Sequence, residues 1–221
     1  MTVLSPREGY RLWAPTYEAE TAVTFLEDRL ACELTPPLAG LRLLDAGCGT
    51  GRRLLSTDAA LAAGADLAPE MLAASAAPGR LAAADVRALP FPAAAFDVVW
   101  CRLVIGHLPD AAPVYRELAR VCRPGGTVLV TDFHAQAVAA GHRRTFRDSA
   151  GIVREVEHHV HPADAQVEAA SAAGLRLVGT REGEVSPPLR RFYERAGRLA
   201  AYEEQRGLRI VLALSFRRGA D

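Results

Sequence analysis

The feature that most constrains this chain is the stretch LLDAGCGTG, residues 43–51, where an apolar run meets three glycines set two apart, Gly47, Gly49 and Gly51. Glycine at every second position suits neither a strand interior nor a helix. A tight turn between strand and helix needs one glycine or two; three in alternation after a buried strand and an aspartate point to a backbone that a ligand approaches closely. The rest of the chain repeats the strand-then-helix rhythm. LRLLDAG, AAGADL, RLAAAD, FDVVWC, TVLVTDF, LRLVGTRE and LRIVLALSF read as strands. YEAETAVTFLEDRLACEL, GRRLLSTDAALAAG (weakly), PEMLAASAA, DAAPVYRELARVC, ADAQVEAASAAG and RRFYERAGRLAAYEEQ read as helices. Such alternation predicts an α/β fold, a doubly wound sheet with helices on both faces.

One domain over residues 1–221 accounts for the chain: 50% of its residues are hydrophobic, enough for a sizeable core. Residues 1–40 read as an N-terminal helical lid. In residues 134–161 the rhythm breaks, and five of the six histidines gather around a DSAG turn, which suggests an inserted hairpin or cap over the substrate. The 26 basic residues, all arginine, balance 26 acidic ones. No global field therefore favours nucleic acid or an anionic membrane, and no lysine is available as a nucleophile. Cys32, Cys48, Cys101 and Cys122 form no Cys-x-x-Cys pair and read as reduced thiols. MTVLSPREGYRLW has no apolar leader core, and no apolar run approaches the roughly 20 residues of a membrane span, so a cytoplasmic protein is expected.

The ligand chemistry follows from the acids at the strand ends. A dinucleotide turn would read Gly-x-Gly-x-x-Gly; here the spacing is Gly-x-Gly-x-Gly, with Asp45 two residues before the first glycine. A carboxylate there repels a pyrophosphate and suits a ligand with positive charge, an ammonium or a sulfonium. Asp66 ends the second strand about 20 residues on, where an acid accepts both hydroxyls of a ribose. Asp85 ends the third strand, where a carboxylate takes the amino hydrogens of an adenine while the Val86 N–H meets a ring nitrogen. Each aspartate alone reads as a turn or cap residue; three on consecutive strands make a constellation.

At these residues the chain resembles the class I S-adenosylmethionine-dependent methyltransferases, small-molecule branch. LLDAGCGTG looks like their first motif, GADLAPEML their second, AADVRALPFPAAAFDVVWC their third and fourth, and HLPDAAPVYRELARVCRPGGTVLVTDF their fifth-strand region. The likeness runs from about Leu41 to Phe133. It implies a Rossmann-like sheet of seven strands in the order 3-2-1-4-5-7-6 with the last antiparallel, and S-adenosylmethionine as cofactor, leaving as S-adenosylhomocysteine. It also implies that Asp45, Gly47 and Gly49 contact the methionine part and Asp66 the ribose. Leu67 and Met71 would flank the adenine, and Asp85 with Val86 would read its edge. YRLWAPTYEAE resembles a segment that folds over the cofactor, placing Tyr10 and Tyr17 there; Tyr17 serves equally well as core packing.

Methyl transfer from a sulfonium is an in-line displacement in which orientation alone is worth roughly 7–11 kcal/mol. A base is needed only where the nucleophile must lose a proton. His134, directly after the fifth strand, and His107, before LPD, are the catalytic candidates; His107 reads equally as structural. In EVEHHVHP, His159 and His161 would share one strand face as two metal ligands, but no third ligand accompanies them and no metal is expected. Arg143, Arg144 and Arg147 of the cap suit an anionic substrate or a phosphopantetheine arm, or else form a solvated face. The cap is loosely similar to quinone-biosynthesis C-methyltransferases and to enzymes of bacterial secondary metabolism. The expected function is methyl transfer to a small-molecule acceptor by a monomer or homodimer. Its rivals are an NAD-dependent oxidoreductase and a non-catalytic S-adenosylmethionine-binding scaffold. Nucleic-acid methylation is disfavoured because VVWCRL lacks the Asn/Asp-Pro-Pro-aromatic motif. The sequence leaves the acceptor and the methylated atom open.

Overall fold

The computed structural model describes residues 3–76 and 80–220. In chain order the elements are β1 (Val3–Leu4), α1 (Pro6–Trp13), α2 (Ala22–Leu34), β2 (Arg42–Ala46), β3 (Leu61–Asp66), α3 (Pro69–Ala73), β4 (Leu81–Ala83) and β5 (Phe96–Arg102). Then come α4 (Ala112–Val121), β6 (Cys122–Phe133), α5 (Ala135–Ala139), β7 (Thr145–Arg147), β8 (Val153–Val156) and α6 (Ala163–Ala172). β9 (Leu175–Glu184), α7 (Arg190–Arg195), α8 (Leu199–Gln205) and β10 (Arg209–Arg218) close the chain.

Seven strands form one sheet in the order β4-β3-β2-β5-β6-β10-β9, the expected 3-2-1-4-5-7-6. β10 runs antiparallel to both neighbours, while β2 to β6 are parallel. Both faces are covered, which is why the central strands are continuously apolar. On one face Leu44, Val99, Val128 and Leu212 pack with Tyr115 and Leu118 of α4 and Ala170 of α6. On the other, Leu43, Val98, Trp100 and Leu129 meet Ala31 of α2.

Three expected helices come out shorter. GRRLLSTDAALAAG forms only a 3-10 turn, Arg52–Ser56. There the hydroxyls of Ser56 and Thr57 donate to the carbonyls of Arg53 and Leu54, an alternative to helix propagation. The stretch from Arg190 to Gln205 breaks into α7 and α8 at Gly197, whose φ of 65° ends a helix in the left-handed conformation. Of PEMLAASAA only α3 is helical, and its last residue, Ala77, lies outside the described residues.

Of the expected lid, residues 1–40, only the part through Thr16 joins the 134–161 segment, because α2 instead buries Leu26, Leu30 and Ala31 against the sheet. β7 and β8 form the hairpin of the cap, and β1 joins β8 in parallel, pairing Val3 with Glu155 and Leu4 with Val156. Beneath this three-stranded sheet, Leu4, Phe146 and Val156 bury against Leu12 and Trp13, and Trp13 stacks on Phe146 at 4.8 Å. The Thr16 hydroxyl donates to the Arg147 carbonyl at 2.7 Å. The lid is thereby fastened to the cap.

Candidate active site

A cavity of about 350 Å³ opens beyond the C-terminal ends of β2, β3 and β5, covered by α1. Gly47, Gly49, Asp66, Leu67, Asp85, Val86, Arg102, His107, Tyr10 and Tyr17 line it. The glycine turn forms its floor because the N–H groups of Gly47 and Cys48 both donate to the Ala65 carbonyl, at 2.7 and 3.0 Å, drawing the turn across the end of β3. Gly47 sits at φ 84°, and a Cβ there would collide with Val104. At Gly49, φ 59°, a Cβ would stand 3.2 Å from Met71 Cε and 3.3 Å from Tyr17 Cε1. Both positions require glycine, one through its neighbour and one through the close cover above.

Asp66 ties this floor to the next strand. Its Oδ2 accepts the Gly49 N–H at 2.8 Å and its Oδ1 the Ala68 N–H at 2.9 Å. A carboxylate has about four lone-pair sites, and the Leu67 N–H also bonds to it, so the hydroxyls of a diol take what these backbone donors leave. Burial pushes this carboxyl above its usual range, against the backbone hydrogen bonds that lower it. Asp85 stands at the mouth and is already paired: Arg87 Nε donates to its Oδ1 at 2.9 Å, and those hydrogen bonds hold its carboxyl low. An adenine amino group has to share that carboxylate with Arg87, a competition the sequence did not announce.

Behind the floor lies a buried charge network. Glu27 of α2, fully buried, takes Arg102 in a bidentate pair, Nε and Nη2 at 2.7 Å each, and accepts the Thr131 hydroxyl at 2.7 Å. Arg53 approaches Glu27 at 3.4 Å, and Asp28 also holds Arg102. Asp45 is fully buried, and neither of its oxygens has a hydrogen-bond partner among the described residues. Burial drives its carboxyl up, countered by the nearby Arg53 and Arg102. A buried acceptor pair left unmatched costs about 1–3 kcal/mol or more, and Asp45 is not among the residues that line the cavity. Glu27, Arg53 and Arg102 escaped the sequence reading; the available signal was an acid, Glu27, on the apolar face of α2 between Leu26 and Leu30.

At the other end of the cavity His107 meets Tyr10 and Arg144. Arginine has donors only, so at 2.9 Å Arg144 Nη1 makes His107 Nε2 an acceptor, and Nδ1–H donates to the Glu157 carbonyl at 3.3 Å. The Tyr10 hydroxyl reaches the same Nε2 at 2.9 Å. Burial, then the Arg144 charge, pushes the imidazole well below its ordinary value. His107 is therefore neutral.

The profile of a methyltransferase domain matches residues 44–130. The 27-O-demethylrifamycin SV methyltransferase of Amycolatopsis mediterranei is 33% identical over 228 aligned positions, which cover 87% of this chain and 83% of that enzyme. This chain belongs to the class I S-adenosylmethionine-dependent methyltransferases. The 2-methyl-6-phytyl-1,4-hydroquinone methyltransferase of a Synechocystis strain is 33% identical over 160 positions, 68% of this chain and 49% of the relative. A crystal structure of an S-adenosylmethionine-dependent methyltransferase from Mesorhizobium loti shares the fold, with a TM-score of 0.67 at 24% identity over 87% of this chain and 98% of that one.

The residues of this methyltransferase fit its cofactor. The glycine floor leaves room for close approach and Asp66 retains acceptor capacity for a diol. Three of the expected site residues stand outside the cavity lining, and the first, Asp45, is fully buried with its carboxylate unmatched. Met71 is fully buried beneath Gly49 and does not line the cavity, so Leu67, half exposed at the wall, is left to flank a base. His134 is not at the cavity either. It is the N-cap of α5: its Nδ1 accepts the Gln136 N–H at 3.1 Å, and Nε2–H is left to donate to Glu182 at 3.2 Å. His134→Ala is accordingly expected to keep full turnover and to lose about 1 kcal/mol of stability with the cap, read by initial rates and denaturant melts. The strand expected through EVEHHVHP ends at Val156, and His161 Nε2 donates to the Leu108 carbonyl at 2.8 Å. No group of three His, Cys, Asp or Glu able to hold a metal occurs among the described residues. Nor is any described helix long and apolar enough to cross a membrane.

Proposed function

We propose that this methyltransferase alkylates an oxygen of a small molecule, in secondary metabolism or quinone-type biosynthesis. The observation that carries the reading is the closed end of the cavity, where Tyr10 and the neutral His107 face the space beside the glycine floor under a fastened lid. Its support from similarity is the O-methylating relative, matched over 83% of its length and thus beyond the nucleotide-binding half. The cofactor supplies a methyl group on a sulfonium, already activated for displacement.

The chain's own residues do the rest. The buried Asp45 carboxylate attracts the ammonium end from outside the cavity lining, with Arg102 on the cavity wall for the carboxylate. Asp66 holds the ribose diol and by its bonds to Gly49 and Ala68 keeps the floor in register with β3. Tyr10 and Tyr17 exclude water, which strengthens every charge interaction beneath them. The lid's attachment to the cap means that ordering one orders the other, so cofactor and acceptor sites close together. The protein is read as a cytoplasmic monomer or homodimer.

Isotopic methyl transfer into a metabolite extract, followed by mass analysis, tests this. Label in a methyl ether or ester is expected, with micromolar binding of S-adenosylhomocysteine by calorimetry. Label confined to carbon, nitrogen or protein overturns the oxygen assignment.

A further inference from the structure

The acceptor end of the cavity contains donors and almost no free acceptor. Arg144 is buried, its Nη2 held by Asp132 at 3.2 Å and its Nη1 by the Leu103 carbonyl at 2.8 Å and by His107 Nε2. Its guanidinium lies 4.8 Å over the Phe133 ring. Of the four cap arginines, Arg143 and Arg147 are exposed, Arg154 is half-buried and paired with Asp148, and only Arg144 is enclosed at this site. The single lone pair of His107 Nε2 thus faces two donors, Arg144 Nη1 and the Tyr10 hydroxyl. It needs one. With Arg144 satisfying it, the Tyr10 O–H, free to rotate, can turn toward a ligand.

We propose that the acceptor reacts as an oxyanion, an ionised phenol, enol or carboxylic acid, held by the Tyr10 hydroxyl. Arg144 is the positioning residue that frees this hydroxyl and keeps His107 from taking a proton. The inference rests on the O-methylation reading and narrows its substrate class to acidic O–H groups.

The charged surroundings agree from every side. His107 is faced by Arg144 from the cap, by His158 and His159 from the loop after β8, and by the Glu157 carbonyl. The first three oppose an imidazolium, and burial adds to them. Tyr10 is faced by Arg144, by Arg53 and by Asp66 across the cavity. Asp132, the acid paired with Arg144, is 2% exposed and spends Oδ1 on Arg144 and on the Phe133 N–H, with His158 Nε2 at 3.7 Å. Among the described residues, His107 at the cavity has its one lone pair taken, and His158, whose Nε2 has no hydrogen-bond partner, stands outside the lining. A fixed cation behind His107 and a rotatable donor favour a negative oxygen. In the transfer an oxygen lone pair forms the C–O bond as the C–S bond breaks, and sulfur keeps the electron pair. The oxyanion and sulfonium charges cancel. No proton moves in that step, because the acceptor's proton has gone to solvent before binding.

The probe is para-nitrophenol, whose neutral and ionised forms differ in colour, titrated across pH on protein saturated with S-adenosylhomocysteine. Bound probe is expected to ionise about ten-fold more readily than free probe, one pH unit lower. Tyr10→Phe and Arg144→Gln should abolish that shift, and Arg144→Lys should recover part of it. Thermal melts confirm that each variant is folded, and Tyr10→Phe, which removes a single atom, carries the test should Arg144→Gln not fold. Failure of S-adenosylhomocysteine to bind wild type would sink the methyltransferase site itself. With S-adenosylhomocysteine bound, an unshifted probe, no binding of the probe, or a shift surviving both variants overturns this inference alone.

Discussion

Asp66→Ala is expected to weaken S-adenosylhomocysteine binding by at least about 100-fold, since hydrogen bonds to a charged group contribute roughly 1.5–3 kcal/mol each and a diol makes two. The carboxylate does a second job that raises the loss. It accepts the N–H groups of Gly49 and Ala68, and without it both donors are left at the edge of the cavity while the glycine floor loses its tie to β3. Asp66→Asn separates the two effects, because its one carbonyl oxygen can satisfy one of these N–H groups but not both. Calorimetry should rank wild type above Asn and Asn above Ala, with the melting temperature little changed, as the residue lies at the cavity and outside the packed core. An Ala variant that binds within a few-fold of wild type removes Asp66 from the ribose site.

The cofactor half of this site was legible because its chemistry is local. A strand, a glycine turn and an acid lie within a few residues, so LLDAGCGTG and GADLAPEML carry their geometry with them. The sheet order came from the family resemblance, while the strand-to-helix rhythm supplied only the strands and the α/β class. What the sequence hid was long-range. Nothing near Val3 or Leu4 signals that they add a strand to Val153–Val156, some 150 residues away. The Arg102 partner Glu27 lies 75 positions earlier. His134 looked catalytic because it follows β6, yet the dihedral choice that turns the chain into α5 makes its ring a cap and aims it at Glu182. Met71 failed similarly: its place in the second motif is at the cavity, but the one turn of α3 rotates it under Gly49. Side-chain direction within a single turn decides such cases, and a motif does not record it. Conversely, Arg144 could be picked out from Arg143 and Arg147 only once burial was known.

Glu27→Ala is the substitution expected to cost the most stability, about 3–5 kcal/mol, because it strands a buried partner. Arg102 and Arg53 have side chains only 5% and 10% exposed. With Glu27 gone, the exposed Asp28 is the acid left in direct ion pairs with them, Asp45 acts on them without a hydrogen bond, and Thr131 loses its acceptor. At roughly 2–4 °C per kcal/mol for a chain of this size, the melting temperature should fall by roughly 10 °C. S-adenosylhomocysteine affinity should fall with it, since Arg102 lines the cavity. The pH dependence identifies the cause. Burial pushes the Glu27 carboxyl up, but Arg102, Arg53 and the Thr131 hydroxyl bring it below its usual range. The folded chain then binds this proton less readily than the unfolded one, so the stabilisation is complete above the unfolded carboxyl value and is lost as pH falls through the depressed folded one. Asp45 runs the other way: its raised carboxyl favours the folded state at low pH and loses that contribution as pH rises through the folded value. Glu27 is itself among the charges that raise Asp45, so wild type and Glu27→Ala are compared on an Asp45→Asn background, where the Asp45 contribution is absent from their difference. That difference in unfolding free energy should narrow as pH drops from neutral through the carboxylate range. A gap that stays constant with pH would mean that Glu27 acts through packing and that its charge contributes nothing.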